Sequence, residues 1–386
     1  MKTRRLMLKA GTALAAVLLT GPAFGQQAKP MPVVATFSIL GDLVKQIGGE
    51  HVSVTTLVGL DGDTHVYQPT PADARAVSGA KILIVNGLEF EGWIDRLVEA
   101  SGFKGMRVVT TEGVKAIPFE DNHADAHGDH KDDDHKDHGL EKHGDHKDRG
   151  HGHAKHRDHK DHGHGKHDDH KYDDHKGHGL AKHQDHKDHG HSDHNGEEHA
   201  KSEGHQGHDH GAFDPHAWQS LSNAVIYVDN IAAALSMADP SNAGDYFRNR
   251  AAYVEKIKAL DTEIRSLVAG LPKDRRTVVT SHDAFRYFGR DYGLKFLAPQ
   301  GVGTESEASA KDVARLIKQM RRQRISAVFI ENVADARLLK QIATETKATI
   351  GGTLYPGALS GPDGPASTYL KMMRHNASTL ATALGS

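Results

Sequence analysis

Short apolar runs alternate with amphipathic segments on both sides of a long polar stretch. This alternation predicts an α/β fold with a largely parallel sheet, because strands and helices take turns along the chain. Before the polar stretch, strands are predicted at 33–37, 81–85 and 107–111, with helices at 38–47 and 91–100. After it, strands are predicted at 277–280, 327–330 and 349–354, with helices at 283–292, 310–324 and 336–346.

Two helices are predicted between these α/β halves. Asp214-Pro215 is typical of a helix start and predicts a helix to about Met237, with His216 in its first turn. A second helix is predicted over 242–269, which at ~1.5 Å per residue is roughly 40 Å long. The apolar side chains of this second helix recur every three or four residues. They are Phe247, Tyr253 or Val254, Ile257, Leu260, Ile264 and Leu267. The pattern fits a spine between two lobes and equally a surface helix within one lobe.

The polar stretch, residues 120–211, is a histidine-rich insert. It holds 26 of the 31 histidines, 24 acidic and 14 basic residues, and it repeats the sequence DHKDHG three times. With so few apolar side chains it cannot bury a core, so we predict a disordered low-complexity loop. It is either a solvated linker or a weak, multivalent collector of metal ions.

The amino-terminal residues predict export. Basic residues precede an uncharged run too short to span a bilayer, as in a signal peptide ending near residue 25. Arg4-Arg5 resembles a twin-arginine signal, and ordinary Sec export is the alternative. The chain has no cysteine, so neither a disulfide nor a lipid anchor is expected, and a net charge of −3 gives no reason to expect a nucleic-acid or membrane partner. We expect a periplasmic monomer.

These features divide the chain into five predicted parts. They are a signal peptide at 1–25, an N-terminal lobe at 26–119 and 212–241, the insert at 120–211, a linking helix at 242–270 and a C-terminal lobe at 271–386.

Five histidines lie outside the insert, and three of them sit where a strand has ended or a helix begins. Ligands of open α/β sheets bind beyond the carboxyl ends of strands, so His65, His216 and His282 are the candidate metal ligands. Three neutral imidazoles suit zinc. His51 and His375 are expected to be surface residues.

The same segments resemble a known family, the ZnuA-like and TroA-like solute-binding proteins of ABC importers for zinc and manganese. The resemblance rests on D-x-H-x-Y-x-P-T-P from Asp63, DPHAW from Asp214, SHDAF from Ser281, and STYLKMM from Ser367. A histidine-rich insert just before DPHAW is a feature of the zinc-type members. The resemblance implies two (βα)4-like lobes bridged by a long helix. It also implies one metal ion in the cleft on His65, His216 and His282, which a membrane permease receives.

The fourth ligand is left open by the sequence. Many relatives have an aspartate where this chain has Gly357. Water, a histidine of the insert, Asp363 or Glu331 could complete a tetrahedron, although Asp363 suits a turn and Glu331 a supporting or helix-capping role.

Three histidines without an evident carboxylate favour zinc over manganese, which prefers oxygen ligands. Manganese or another divalent metal in the same family is the first alternative. A three-histidine zinc hydrolase, with Asp283 or Glu331 as general base, and a histidine-rich storage or adhesion protein are the others.

Overall fold

The structure, a computed structural model, describes residues 29–118 and 212–385. The predicted signal peptide at 1–25 and the predicted insert at 120–211 lie outside the described residues. The described chain forms two lobes, each built on its own four-stranded parallel sheet. The predicted fold class is therefore confirmed.

The first lobe has the strand order β2-β1-β3-β4, with every neighbouring pair parallel. Its strands and helices are β1 (Met31–Phe37), α1 (Ser38–Gly48), β2 (Val52–Val58), α2 (Pro71–Gly79), β3 (Ile82–Val85), α3 (Ile94–Ser101), β4 (Met106–Val109) and α4 (Leu221–Ala238). Strand β3 is an unbroken apolar run that is buried throughout, as expected of a central strand covered on both faces. Helix α2 begins at a capping box in which Thr70 and Asp73 bond each other's backbone.

The second lobe repeats the arrangement with the order β6-β5-β7-β8, again all parallel. Its strands and helices are β5 (Thr277–Val279), α6 (Arg286–Tyr292), β6 (Lys295–Leu297), α7 (Ala310–Gln323), β7 (Ala327–Glu331), α8 (Arg337–Thr346), β8 (Thr349–Leu354) and α9 (Tyr369–Gly385). Strands β2 and β6 were not predicted. Each is an edge strand with partly exposed side chains, so neither has the apolar run that marks a buried strand.

Helix α5 (Ala243–Ala269) connects the lobes. Its 27 residues give a length of about 40 Å. Near its start Asn249 donates to the Ile47 carbonyl of the first lobe, and near its end Glu263 pairs with Arg374 of the second. The helix therefore serves both lobes as a spine, and the alternative of a surface helix within one lobe is wrong.

The predicted apolar stripe of α5 is correct in its middle and wrong at its ends. Phe247 is 52 % exposed and Leu267 is 36 % exposed, while Tyr246 and Val268 beside them are buried. An α-helix advances 3.6 residues per turn, so a strict 3.5-residue stripe drifts off the buried face over seven turns.

Two predicted helix starts are also wrong. Helix α4 begins at Leu221, because the Ser220 hydroxyl accepts the Asn223 N–H as its cap. A 3-10 turn, Ala217–Gln219, precedes it, and His216 lies before that turn. Helix α6 begins at Arg286, three residues after the predicted start, and has no side-chain cap.

Helix α4 is long and apolar enough to cross a membrane by length and composition alone. Its side chains Tyr227, Val228, Ile231 and Leu235 are fully buried inside the first lobe. It therefore has the position of a core helix of a globular lobe.

Candidate metal centre

Three loops bring His65, His216 and His282 to one place between the lobes. His65 lies in the loop between β2 and α2, and His216 lies between the insert and α4, both in the first lobe. His282 follows β5 in the second lobe. His65 and His282 follow the carboxyl ends of β2 and β5, and the His216 segment is hydrogen-bonded to Asn86, which follows β3. This is the side of the sheet where open α/β folds bind ligands.

The three imidazoles are close enough to share one ion. Each offers a nitrogen, and these three atoms lie within 4.8 Å of one another. The Nε2 atoms of His65 and His216 are 3.3 Å apart. Ligand nitrogens of a tetrahedral zinc ion with ~2.0–2.1 Å bonds lie roughly 3.3–3.4 Å apart, so this pair already has the spacing that zinc requires. Within the described ranges no fourth histidine or carboxylate joins the group.

His216 is held by the carboxylate two residues before it. Asp214 Oδ1 accepts hydrogen bonds from the His216 backbone N–H and from Nδ1, both at 2.9 Å. Since an ionised carboxylate only accepts, Nδ1 carries the proton and the Nε2 lone pair is left for a ligand. Burial and the neighbouring His282 hold the pKa of His216 well below its ordinary value of 6.5, so the ring is neutral at physiological pH. Burial raises the pKa of Asp214 to about 6.

His282 is held in the same manner by a carboxylate from a different strand. Glu331, the last residue of β7, accepts from His282 Nδ1 at 2.5 Å. Its other oxygen accepts from the backbone N–H groups of Ser281 and His282, at 3.0 and 3.3 Å. Burial lowers the pKa of His282, but the charge and hydrogen bond of Glu331 outweigh burial and raise it above 6.5.

His65 is the most accessible of the three, with 7 % of its side chain exposed. Its backbone N–H donates to Asp63 Oδ1 at 3.0 Å. Its ring packs edge-on against Phe90, and its Nδ1 lies 3.8 Å from Glu305 Oε1. Each of the three imidazoles thus has a carboxylate on the Nδ1 side.

The loops that carry the histidines are fixed by buried side chains of neighbouring elements. Asn86, after β3, donates to the Pro215 carbonyl at 2.9 Å and accepts from the Tyr227 hydroxyl. Trp93 donates to the Thr64 carbonyl at 3.0 Å. Hydrogen bonds from buried side chains therefore hold the loops of His65 and His216 in position.

Glu331 and Asp363 do not take the fourth position in this geometry. Both oxygens of Glu331 are committed to His282 and its backbone, which makes it a supporting group. Asp363 is exposed in the turn closed by the Gly364 N–H to Gly361 carbonyl bond. At Gly357 an added Cβ would meet only Trp218 Cζ2, at 3.8 Å, so this position has room for a side chain.

His51 and His375 lie away from the cluster and are partly buried, where surface positions were predicted. His51 bonds Asp245 at 2.9 Å, and His375 bonds the Thr353 carbonyl at 3.0 Å. A hydrogen-bonded partner explains each burial without a ligand.

Sequence reasoning missed Glu305 and the role of Asp214. The Asp214 carboxylate has a local signal, since it stands two residues before a candidate ligand. Glu305 has none, because it is distant in sequence from His65 and lies in the other lobe.

A cavity of about 450 Å³ lies beside His65 and is lined by Glu305, Phe213 and Trp93. Phe213 forms an antiparallel β-bridge with Pro118, so the two residues that flank the insert lie together beside this cavity. His65 is itself among the residues that line this cavity.

Comparisons with known proteins identify the family of this chain. The family model described as "Zinc-uptake complex component A periplasmic" matches residues 33–383. The iron-binding protein YfeA of Yersinia pestis is 28% identical over 358 residues, covering 93% of this chain and 88% of that protein. The manganese-binding lipoprotein MntA of Bacillus subtilis is 26% identical over 362 residues, covering 92% of this chain and 90% of that protein.

Two solved structures are similar to this chain over most of its length. A manganese-bound periplasmic metal-binding protein from Candidatus Liberibacter asiaticus is 27% identical and has a TM-score of 0.63, covering 91% of this chain and 98% of that one. The periplasmic zinc-binding protein TroA from Treponema pallidum is 22% identical with a TM-score of 0.67, covering 93% of this chain and 100% of that one. This last likeness shows the fold alone.

Proposed function

Since the chain belongs to the periplasmic zinc-uptake component A family, we propose that it captures one zinc ion with His65, His216 and His282 and delivers it to an ABC transporter permease. Proteins of this family bind a divalent metal outside the cytoplasm for an ABC importer and are not enzymes. The alternative of a three-histidine zinc hydrolase is therefore wrong.

The convergence of three imidazole nitrogens within 4.8 Å carries the proposal. It is supported by the carboxylates on Nδ1 of His216 and His282, which direct the Nε2 lone pairs to the common centre. Such carboxylate–histidine pairs are typical of metal sites and raise the basicity of the ligating nitrogen.

Zinc is proposed over manganese because of the ligand types. Imidazole nitrogens suit zinc, whereas manganese prefers carboxylate and water oxygens. The three-histidine group has no carboxylate among its described members, and Glu331 is committed to His282. Relatives are named for iron and manganese, so another divalent metal is the competing candidate.

The remaining predictions extend this proposal. The insert would collect further ions weakly and hold them near the cleft, since Pro118 and Phe213, which flank it, form a bridge just before His216. Water or a histidine of the insert would complete the coordination. A soluble periplasmic monomer without a lipid anchor, and twin-arginine export, stay predictions, and several relatives are named lipoproteins.

Calorimetry on two variants tests the proposal. Deleting 121–210 should leave one tight zinc site with unchanged affinity. The triple variant His65→Ala, His216→Ala, His282→Ala should lose that site and keep only weak binding by the insert. A storage protein would give the opposite result, with tight binding abolished by the deletion and retained in the triple variant.

A further inference from the structure

In two of the three histidine–carboxylate pairs both residues belong to the same lobe, whereas the third pair joins the two lobes. Asp214 and His216 both belong to the first lobe, and Glu331 and His282 both belong to the second. His65 belongs to the first lobe, whereas Glu305, which faces its Nδ1, belongs to the second.

Glu305 is carried by a loop that is tied to the His65 loop at a second point. The neighbouring Thr304 hydroxyl donates to Asp63 Oδ2 at 2.5 Å. The other oxygen of Asp63 accepts the backbone N–H of His65. One carboxylate of the first lobe therefore holds both His65 and the loop of the second lobe that presents Glu305.

The loop over 302–307 has open space on both sides. Val302, Gly303 and Glu305 line the cavity of about 450 Å³ beside His65. Thr304 and Glu307 line a second cavity, of about 500 Å³. Val302 at the start of the loop is buried, whereas Glu305 is exposed. The hydrogen bond from Thr304 to Asp63 ties the exposed part of the loop to the first lobe.

The contact between Glu305 and His65 is not fully formed. The atoms are 3.8 Å apart, about 1 Å more than the ~2.8 Å of a charge-assisted N–H···O bond. The corresponding distances at His216 and His282 are 2.9 and 2.5 Å. A cation on Nε2 draws electron density from the ring and makes Nδ1–H a stronger donor, so metal binding would shorten this contact.

From these observations we propose that Glu305 is a positioning residue for His65 and couples metal capture by the first lobe to the 302–307 loop of the second. Zinc on His65 strengthens the Nδ1–H bond to Glu305, the loop moves onto the His65 ring, and the ion is retained. The inference rests on the proposed ligand role of His65.

The test is zinc dissociation from the full-length protein loaded with one equivalent, followed after mixing with excess chelator. Outer-shell partners of a metal ligand typically contribute about 10- to 100-fold in affinity, so Glu305→Ala should release zinc about tenfold faster. Glu305→Gln, which keeps an acceptor but no charge, should fall between this variant and the wild type. Glu307→Gln, on the same loop, is the matched control and should release zinc at the wild-type rate.

A second readout separates positioning from a general effect on folding. Zinc should slow hydrogen exchange of the amides in 302–307 and protect the His65 Nδ1 proton in nitrogen-15 NMR spectra of the wild type. Both effects should be lost in Glu305→Ala and kept in Glu307→Gln. Wild-type dissociation and an unchanged His65 proton signal in Glu305→Ala would overturn the inference. If His65→Ala also released zinc at the wild-type rate, the proposed ligand set would fail as well.

Discussion

Replacing Glu331 by glutamine changes a single atom and should still weaken zinc binding strongly. Three donors converge on this carboxylate: the backbone N–H groups of Ser281 and His282, and Nδ1 of His282. Glutamine has one accepting oxygen and one donating NH2 group. If the oxygen takes the two backbone donors, the NH2 faces His282 Nδ1, which must then accept. The ring proton moves to Nε2, the nitrogen that should hold zinc.

The size of the effect follows from these bonds. Turning the amide around instead would set its NH2 against two buried backbone donors, and each unsatisfied buried group costs about 1–3 kcal/mol. Zinc binding must therefore overcome the smaller of two costs, which are moving the ring proton off Nε2 and leaving the buried backbone donors unsatisfied. We therefore expect Glu331→Gln to weaken zinc binding about 10- to 100-fold, which is roughly 1.4–2.8 kcal/mol.

Competition with a chromophoric zinc chelator measures this change. Glu307→Gln, an exposed glutamate of the same lobe, is the matched control and should bind as the wild type does. Thermal unfolding of the metal-free proteins should show that Glu331→Gln is folded. A folded Glu331→Gln protein with an affinity within twofold of wild type would refute the role of Glu331 as the group that sets the His282 tautomer.

Two further predictions concern protons and metal choice. The pKa of His282 is raised above 6.5 and that of His216 is lowered, so as pH falls His282 is the first of these two to take up a second ring proton. Zinc binds the neutral ring, so a protonated His282 should release its second proton when zinc binds. The amount released should decrease as pH rises through the pKa of His282, and the zinc affinity should fall as pH drops. Calorimetry in buffers of different ionisation enthalpy should detect this release at pH 6 and find it much reduced in Glu331→Gln; equal release in both proteins would contradict the assignment. Gly357→Asp should raise manganese affinity relative to zinc by about tenfold, because it adds the carboxylate oxygen that manganese prefers at the position where the family resemblance implies a ligand; an unchanged ratio in a metal-competition assay would count against Gly357 as the ligand position.

The fold could be predicted from the sequence because its central strands are continuous apolar runs. Strands β3 and β7 are such runs, and the predicted strands at 81–85 and 327–330 match them to within one residue. Edge strands β2 and β6 are partly exposed and have no such signal. Local capping decided helix starts, as Ser220 shows by placing the start of α4 well after Asp214-Pro215.

The candidate ligands could be identified because few histidines lie outside the insert and three stand at element ends. Among the supporting groups, Glu331 could be proposed from the sequence, but Glu305 could not, since it contacts His65 only after the two lobes come together. Contacts between distant segments are set by the packing of whole lobes, which periodicity does not encode. The fourth ligand could not be predicted either, because Gly357 has no side chain that could bind a metal.

The central claim is that one metal ion sits among His65, His216 and His282, and a crystal of the protein grown with one equivalent of zinc tests it most directly. An anomalous difference map recorded above the zinc edge should show one strong peak about 2.0–2.1 Å from the Nε2 atoms of all three histidines. A map with no peak there, and with the zinc bound at another position in the protein, would contradict the account.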